Sequence, residues 1–280
     1  MSHAAIANKP RLKPGVNRVR APQDDIAPQH WQGGPIDCAN CGHAQMRLLP
    51  DEQGCEPGHA CMQDVYARRI DRFFRWHPEL ADAQLAHPYF EVRAIAARYV
   101  SVFRLTSLIT DPDETVRLQV AMRLPLTQLT RLAADPHREV RLRVAQRLPP
   151  AELASLRQDH DYGVRELVAQ RLPLAILPTM AHDPDRAVRK RVAQRLAMPA
   201  LLRLAGDAEA EVRRIVAERL PVPLLACLAH DEDWRVRWEV AQRANAALLD
   251  TLRGDPDPEV RELVQMRLAR PIHLAGMPHG

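Results

Sequence analysis

The dipeptide Val-Arg sets the register of this chain. It stands at Val92-Arg93 and returns at residues 116, 140, 164, 188, 212, 236 and 260, always 24 residues on. Eight occurrences without slippage mean an internal repeat, and the repeats occupy residues 77–268, which is 192 of the 280. A unit this short buries its apolar face only against the next copy. The chain must therefore fold as stacked layers, each touching its neighbours, and not around one central core.

The unit at residues 125–148 reads PLTQLTRLAADPHREVRLRVAQRL. Asp135-Pro136 is a helix-opening signal, since Asp is a good N-cap and the missing N–H of Pro costs nothing in a first turn. Asp111 with Glu114 three residues later repeats the capping-box spacing. Val140, Val144, Ala145 and Leu148 then fall at i, i+4, i+5 and i+8, one face of an α-helix, and Pro149 stops it. The spacing predicts a helix of about 12 residues, roughly 18 Å long. In the other half, Leu126, Leu129 and Leu132 are three apart, a spacing that suits a 3₁₀ turn, where such side chains eclipse, and also a single α turn. The remaining residues are too few for a second full helix, which separates the unit from the HEAT, TPR and ankyrin repeats. No run alternates with period two, so no strand is expected.

Two charged columns recur with the repeat. One holds Asp111, Asp135, Asp159, Asp183, Asp207, Asp231 and Asp255, with Arg117 and its successors to Arg261 six residues later. A second arginine column runs from Arg123 to Arg267. The columns read either as a basic groove for nucleic acid or an acidic protein, or as a structural ladder. The ladder is favoured for the first arginine column. Like charges stacked layer upon layer repel, and the Asp column supplies the opposite sign, with each Asp capping its helix and Arg bridging it or a carbonyl in the next layer.

Ahead of the repeats, residues 35–62 hold four of the five cysteines: Cys38-x2-Cys41, thirteen residues, then Cys55-x5-Cys61. Clustering of this kind in a chain with no visible secretory leader points to metal ligation rather than disulfides. Gly42, Gly54 and Gly58 allow the tight loops that turn backbone N–H groups toward sulfur. Four thiolates suit zinc or an iron–sulfur cluster, and the spacing alone leaves both open. His43 and His59 lie nearby as supporting or solvated groups, and Cys227, in a polar column, reads as an isolated thiol. Tyr66, Ile70, Phe73 and Phe74 predict an amphipathic helix over 62–76. Seven of the twelve aromatics lie before residue 91, which marks the seat of the cysteine module on the first repeat. That repeat is degenerate: it lacks the Asp, and Tyr99 stands where later units have Arg.

The pattern L-x-x-L-A-x-D-P-x-x-x-V-R-x-x-V-A-x-R-L-P resembles the leucine-rich repeat variant family, over roughly residues 35–268. The resemblance implies an all-α, right-handed superhelical solenoid of eight repeats, alternating α- and 3₁₀-helices without a sheet. It also implies an N-terminal module in which Cys38, Cys41, Cys55 and Cys61 hold a [4Fe–4S] cluster, with zinc as the alternative.

The expected organisation is a flexible basic arm at 1–34, the cysteine module with its aromatic helix at 35–76, repeats at 77–268 and a capping tail at 269–280. Aromatics make up only 4% against 46% hydrophobic residues, so the core is aliphatic. A net charge of +4 from 39 basic and 35 acidic residues is too small to argue nucleic-acid binding. No apolar stretch is long enough to span a membrane, and no P-loop, dinucleotide, metalloprotease or nucleophile-elbow motif is present. The expectation is a monomeric cytoplasmic iron–sulfur scaffold, not an enzyme, that binds a protein partner, with a redox-responsive cluster as one role. An electron carrier to a docked enzyme, or a structural cluster or zinc site on a nucleic-acid-binding solenoid, are the alternatives.

Overall fold

The computed structural model describes residues 26–49 and 53–269. The rest of the expected arm and nearly all of the expected tail lie outside them. Contacts divide the chain into two compact units, Met1–Pro125 and Leu126–Gly280. Both are helical. Among the described residues the only β-pairing is two isolated bridges, His30 with Asp64 and Glu56 with Ala60. No helix there is long and apolar enough to cross a membrane.

In the first unit a 3₁₀ turn, Ala44–Leu48, precedes the helix Ala67–Trp76. The first two repeats follow: 3₁₀ Pro78–Gln84 with helix Phe90–Tyr99, and 3₁₀ Val102–Leu108 with helix Glu114–Arg123. The second unit continues the alternation through helices Arg138–Arg147, Tyr162–Arg171, Arg186–Arg195, Ala210–Arg219 and Trp234–Arg243 to Pro258–Ala269. The expected apolar columns are the core. Val140, Val144, Ala145 and Leu148 have no exposed surface, and the 3₁₀ pairs Leu153 with Leu156 and Leu225 with Leu228 are at most 3% exposed. Residues three apart on a 3₁₀ turn share one face, so a short turn delivers two apolar side chains to the interior; the third repeat opens instead with an α turn, Leu126–Leu129, whose Leu126 stays exposed. The last repeat replaces that turn with an α-helix, Ala246–Thr251. Asn245, where four of the eight repeats have Pro, caps it by accepting the Leu248 N–H at 2.9 Å.

Each repeat helix before the last is ten residues long rather than twelve, and it starts later than the Asp column predicts. The residue before a proline is pushed out of the α region, so Asp-Pro is an extended step. The Asp carboxylate accepts the N–H two residues on, as from His137 to Asp135 (2.8 Å) and Asp185 to Asp183 (2.9 Å). The cap is that later residue: Asp113, Asp161, Asp185 and Asp233 each accept a first-turn N–H. The Asp column thus sets up the turn, and its carboxylate faces elsewhere.

It faces the preceding repeat. Arg141 grips Asp159 with Nε and Nη2 at 2.7 and 3.0 Å. The same fork joins Arg165 to Asp183, Arg189 to Asp207, Arg213 to Asp231 and Arg237 to Asp255, and in the first unit Arg93 to Asp111. The remaining nitrogen donates within its own layer, from Arg141 to the carbonyls of Asp135 (2.8 Å) and Pro136 (3.1 Å). A planar five-donor fork can satisfy a carboxylate and two carbonyls at once, which the ammonium of Lys cannot match. The Asp–Arg ladder is therefore real, but the Arg binds the Asp of the following layer, 18 residues on.

The second arginine column has a role the sequence reading did not assign. Arg195 donates to Ala169 O (2.7 Å) and Leu172 O (2.9 Å), and Arg267 to Ala241 O (2.7 Å) and Ala244 O (2.9 Å). Arg123, Arg171, Arg219 and Arg243 make the same bond to the equivalent alanine carbonyl. These are the orphan carbonyls at the end of the preceding helix, where a cation also complements the helix dipole. Arginines of both columns thus bond to carboxylates and carbonyls within the stack.

Two predictions follow from the ladder. Asp183→Ala leaves the buried Arg165 without its carboxylate and should cost on the order of 3–5 kcal/mol. Asp183→Ala with Arg165→Met should cost less, and a double-mutant cycle by denaturant unfolding measures the difference. The second concerns acid. Burial by itself raises the carboxyl pKa of Asp159 and Asp255, but hydrogen bonds from Arg141 and Arg237, and from the N–H two residues on, hold both below 3.8. A depressed carboxyl stabilises the fold above its unfolded value and loses that contribution as pH falls through the folded value. Melting temperature should hold from neutral pH down to about 4 and drop steeply below it.

Candidate metal centre

The first cysteine loop is pinned by Asp37. Its Oδ1 accepts the N–H groups of Ala39 (3.0 Å) and Asn40 (3.2 Å), and its Oδ2 the Asn40 side chain at 2.6 Å. This bends the chain between Cys38 and Cys41. The His43 N–H points at Cys41 Sγ, 3.4 Å away, an amide aimed at sulfur as a bound thiolate requires. The Ala44–Leu48 turn then carries Met46, whose carbonyl accepts the Cys55 N–H at 3.2 Å and brings the second pair alongside.

The wide x5 spacing is a tight hairpin. Glu56 and Ala60 exchange both N–H···O bonds at 2.9 Å, and Gly58 sits in the turn at φ +80°. A side chain at that φ is strained, so glycine is the fitting residue there. Closing Glu56 on Ala60 puts the flanking cysteines, Cys55 (7% exposed) and Cys61 (2%), side by side. The hydrogen bond from the Cys61 thiol holds Cys55 below the usual thiol pKa, and the same bond, with burial, pushes Cys61 far up. Burial also raises Cys38, opposed by the Arg47 guanidinium.

The helix behind these loops begins at Ala67, not Met62. Residues 62–66 form a turn, and Tyr66 is the N-cap residue rather than the first apolar position of a helix. The turn is set by Asp64, which is fully buried, accepts the Tyr66 N–H at 2.9 Å and pairs with the buried Arg69 at 3.0 Å. Arg69 also donates to the carbonyl of Ile26. Val65 donates to Gln29 O (2.9 Å) and Trp31 to Gln63 O (3.0 Å). Residues 26–34, placed in the arm by the sequence, are thus built into the module; their bonds are mostly to backbone, which composition does not reveal.

One face of the helix holds the cysteine hairpin and another holds the repeats. Arg72 reaches His59, two residues before Cys61, at its Nδ1 (2.8 Å) and carbonyl (2.9 Å). His43 and His59 pack on aromatic rings, against Phe73 and Trp76, as supports for the loops. Toward the repeats, Phe74 stacks on Tyr99, and the Tyr99 hydroxyl donates to Asp71 at 3.0 Å. Tyr99 thus reaches back to the preceding helix from the position where later arginines do the same. Trp31 stacks on Tyr89 with ring centroids 5.7 Å apart. His87, at the register of the missing Asp, accepts the Tyr89 N–H on Nδ1 at 3.0 Å, as the Asp carboxylates do elsewhere. Register alone could have flagged His87; nothing in the sequence pattern signals the Asp64–Arg69 pair.

Cys38 and Cys55 line a cavity of about 520 Å³ with Ala44, Arg47 and Leu48. Among the described residues no three acidic, His or Cys side chains converge on one point. The thiols are nonetheless near enough for Cys38 to feel Cys41 and Cys61 electrostatically. One zinc ion draws its thiolates to about 2.3 Å of a single centre, whereas in a four-iron cluster each thiolate binds its own iron. Four thiols on two adjacent loops, an amide aimed at sulfur and the Arg47 guanidinium beside the cavity fit a thiolate-bound metal group of either kind. Cys227 stands apart, exposed in the second unit on the turn Val222–Leu228.

Residues 28–83 match a family model described as the LRV protein FeS4 cluster, and residues 162–185 and 210–233 match the leucine rich repeat variant model. A curated protein of Rhodobacter capsulatus, an uncharacterized 27.7 kDa protein in the nifB 3′ region, is 46% identical over 98 residues. That match spans 35% of this chain and 39% of the relative's length. A solved structure of a leucine-rich repeat variant with a novel repetitive structural motif is 47% identical, with a TM-score of 0.77, and the match covers 83% of this chain and 98% of that one. The cluster model settles what the cysteine spacing left open between zinc and iron–sulfur. With its repeats and its cysteine module both matched, the chain belongs to the leucine-rich repeat variant family and carries that family's [4Fe–4S] module ahead of its repeats.

Proposed function

We propose that the protein is a monomeric, non-catalytic scaffold that docks a protein partner in the cytoplasm, and that its cluster makes docking responsive to redox state. Cys38, Cys41, Cys55 and Cys61 are the ligands in this reading. The cluster, when bound, supplies a one-electron couple and a clamp across the two cysteine loops. The observation that carries the proposal is the helix Ala67–Trp76. Arg72 grips the Cys55–Cys61 hairpin on one side, and Asp71 and Phe74 engage Tyr99 of the first repeat on the other. A change at the thiols therefore has a short, packed route into the repeats. In a module this small, metal-site free energy is also folding free energy.

A second reading, an electron carrier to a docked enzyme, is favoured by the half-exposed Cys38 and the cavity it shares with Arg47, which bring one edge of the ligand set near the surface. Nucleic-acid binding has less support, because both arginine columns are engaged within the stack.

Anaerobically purified protein should hold about four iron and four sulfide per chain. Serine at any of the four module cysteines should bleach it, while Cys227→Ser should not; one tightly bound zinc in place of iron would sink the ligand assignment. Hydrogen exchange on holo and apo protein tests the coupling. Protection should fall on iron removal around residues 35–100 and change little around 149–220. Equal protection in both states would favour the electron carrier.

A further inference from the structure

One salt bridge between adjacent repeat helices, Lys190 with Glu211, is replaced in the next layer by two like charges. Residues 21 apart on adjacent layers meet across the surface: Arg98 Nε donates to Gln119 at 3.1 Å, and Lys190 to Glu211 at 2.6 Å. The next step of that diagonal is Arg214 followed by Arg235, two guanidiniums where the preceding layer has a salt bridge. Both are exposed, with side-chain exposures of 48% and 62%. Their ion pairs are long: Glu239 lies 4.0 Å from Arg214, which Glu211 also attracts, and Asp233 lies 3.5 Å from Arg235.

The same layer holds Trp234 and Trp238, half of the chain's tryptophans, four residues apart on one helix face. The preceding layers have Arg186 with Lys190 and Ala210 with Arg214 at those positions. Neither indole is buried. Arg235 lies over the Trp234 ring at 4.9 Å, and Trp238 lines a cleft of about 540 Å³ together with Arg214 and Arg235. That volume lies within the range of about 300–1,000 Å³ usual for ligand pockets. Two carboxylates also line the cleft, Glu211, which is tied to Lys190, and Glu259.

We propose that this cleft docks an acidic segment of a protein partner. Carboxylates of the segment bridge Arg214 and Arg235, and an apolar side chain between them lies on Trp238. Tryptophan and arginine together are the residues on which binding energy concentrates at protein interfaces. Charge complementarity to two exposed guanidiniums selects an acidic occupant. The inference rests on the reading of the repeats as a partner-binding scaffold and does not require the cluster to be redox-active.

The test is fluorescence anisotropy of labelled probes with the full-length, cluster-loaded protein. The probes are a short peptide of alternating Glu and Leu, its Lys-for-Glu counterpart and single-stranded oligouridylate. The acidic peptide should bind, the basic one should not, and added salt should weaken binding. Arg214→Glu and Arg235→Glu should each weaken it by about tenfold or more, and Trp238→Ala should weaken it without altering the salt dependence. All three positions are at the surface, and circular dichroism checks that the variants remain folded. Equal binding of both peptides, tighter binding of oligouridylate, or binding indifferent to the two charge reversals would each overturn the proposal. If the acidic peptide fails while cluster-dependent protection of residues 35–100 is seen, only the cleft assignment falls.

Discussion

The bidentate bond between an arginine in one layer and an aspartate in the next is the interaction on which the repeats depend. It does three things at once. The carboxylate sets the turn that launches its own helix, satisfies the guanidinium of the layer before, and thereby fixes the offset between layers. Arg141 and Asp159, 2% and 4% exposed at the side chain, show what this demands: two charges withdrawn from water with nearly every donor and acceptor used. Buried pairs of this kind contribute little net stability against an apolar alternative, but a broken one is costly. The pair acts as a register device, and apolar contacts between valine, alanine and leucine columns supply the burial.

The second arginine column completes the arrangement from the other end of each helix. A helix this short leaves about eight of its roughly twenty backbone N–H and C=O groups without an intrahelical partner, so short helices stacked closely need systematic capping. Aspartate turns serve the N-terminal ends and the following layer's arginines the C-terminal ends. Charge that looks like a basic groove in the sequence is spent on internal hydrogen bonds. Positions free to vary, and so to recognise something, are the outward ones, such as 214, 235 and 238.

The cysteine module meets the first repeat by substitution within the same scheme. His87 accepts the N–H that an aspartate accepts elsewhere, and Tyr99 reaches Asp71 where an arginine would reach a helix end. Aromatic rings cover what a further repeat would have covered. The degenerate first repeat is the repeat pattern adapted to a different neighbour.

Much of this was legible in the sequence. Periodicity reports which side of a local element is apolar, so the 24-residue unit, the α and 3₁₀ segments, the leucine and valine core and the four-cysteine module could all be read from spacing. The identity of the metal could not, because zinc and iron–sulfur sites draw on the same thiolates. Hydrogen-bond partners could not either. Asp135 looked like a cap, and Arg117 looked like a partner for the aspartate six residues before it. Only the stacking of layers shows the carboxylates turned toward the preceding repeat, the helix starting two residues after the proline, and residues 26–34 bonded to the module. These depend on distances between segments remote in sequence, and a one-dimensional pattern carries the faces of its elements but not the offset at which those faces meet.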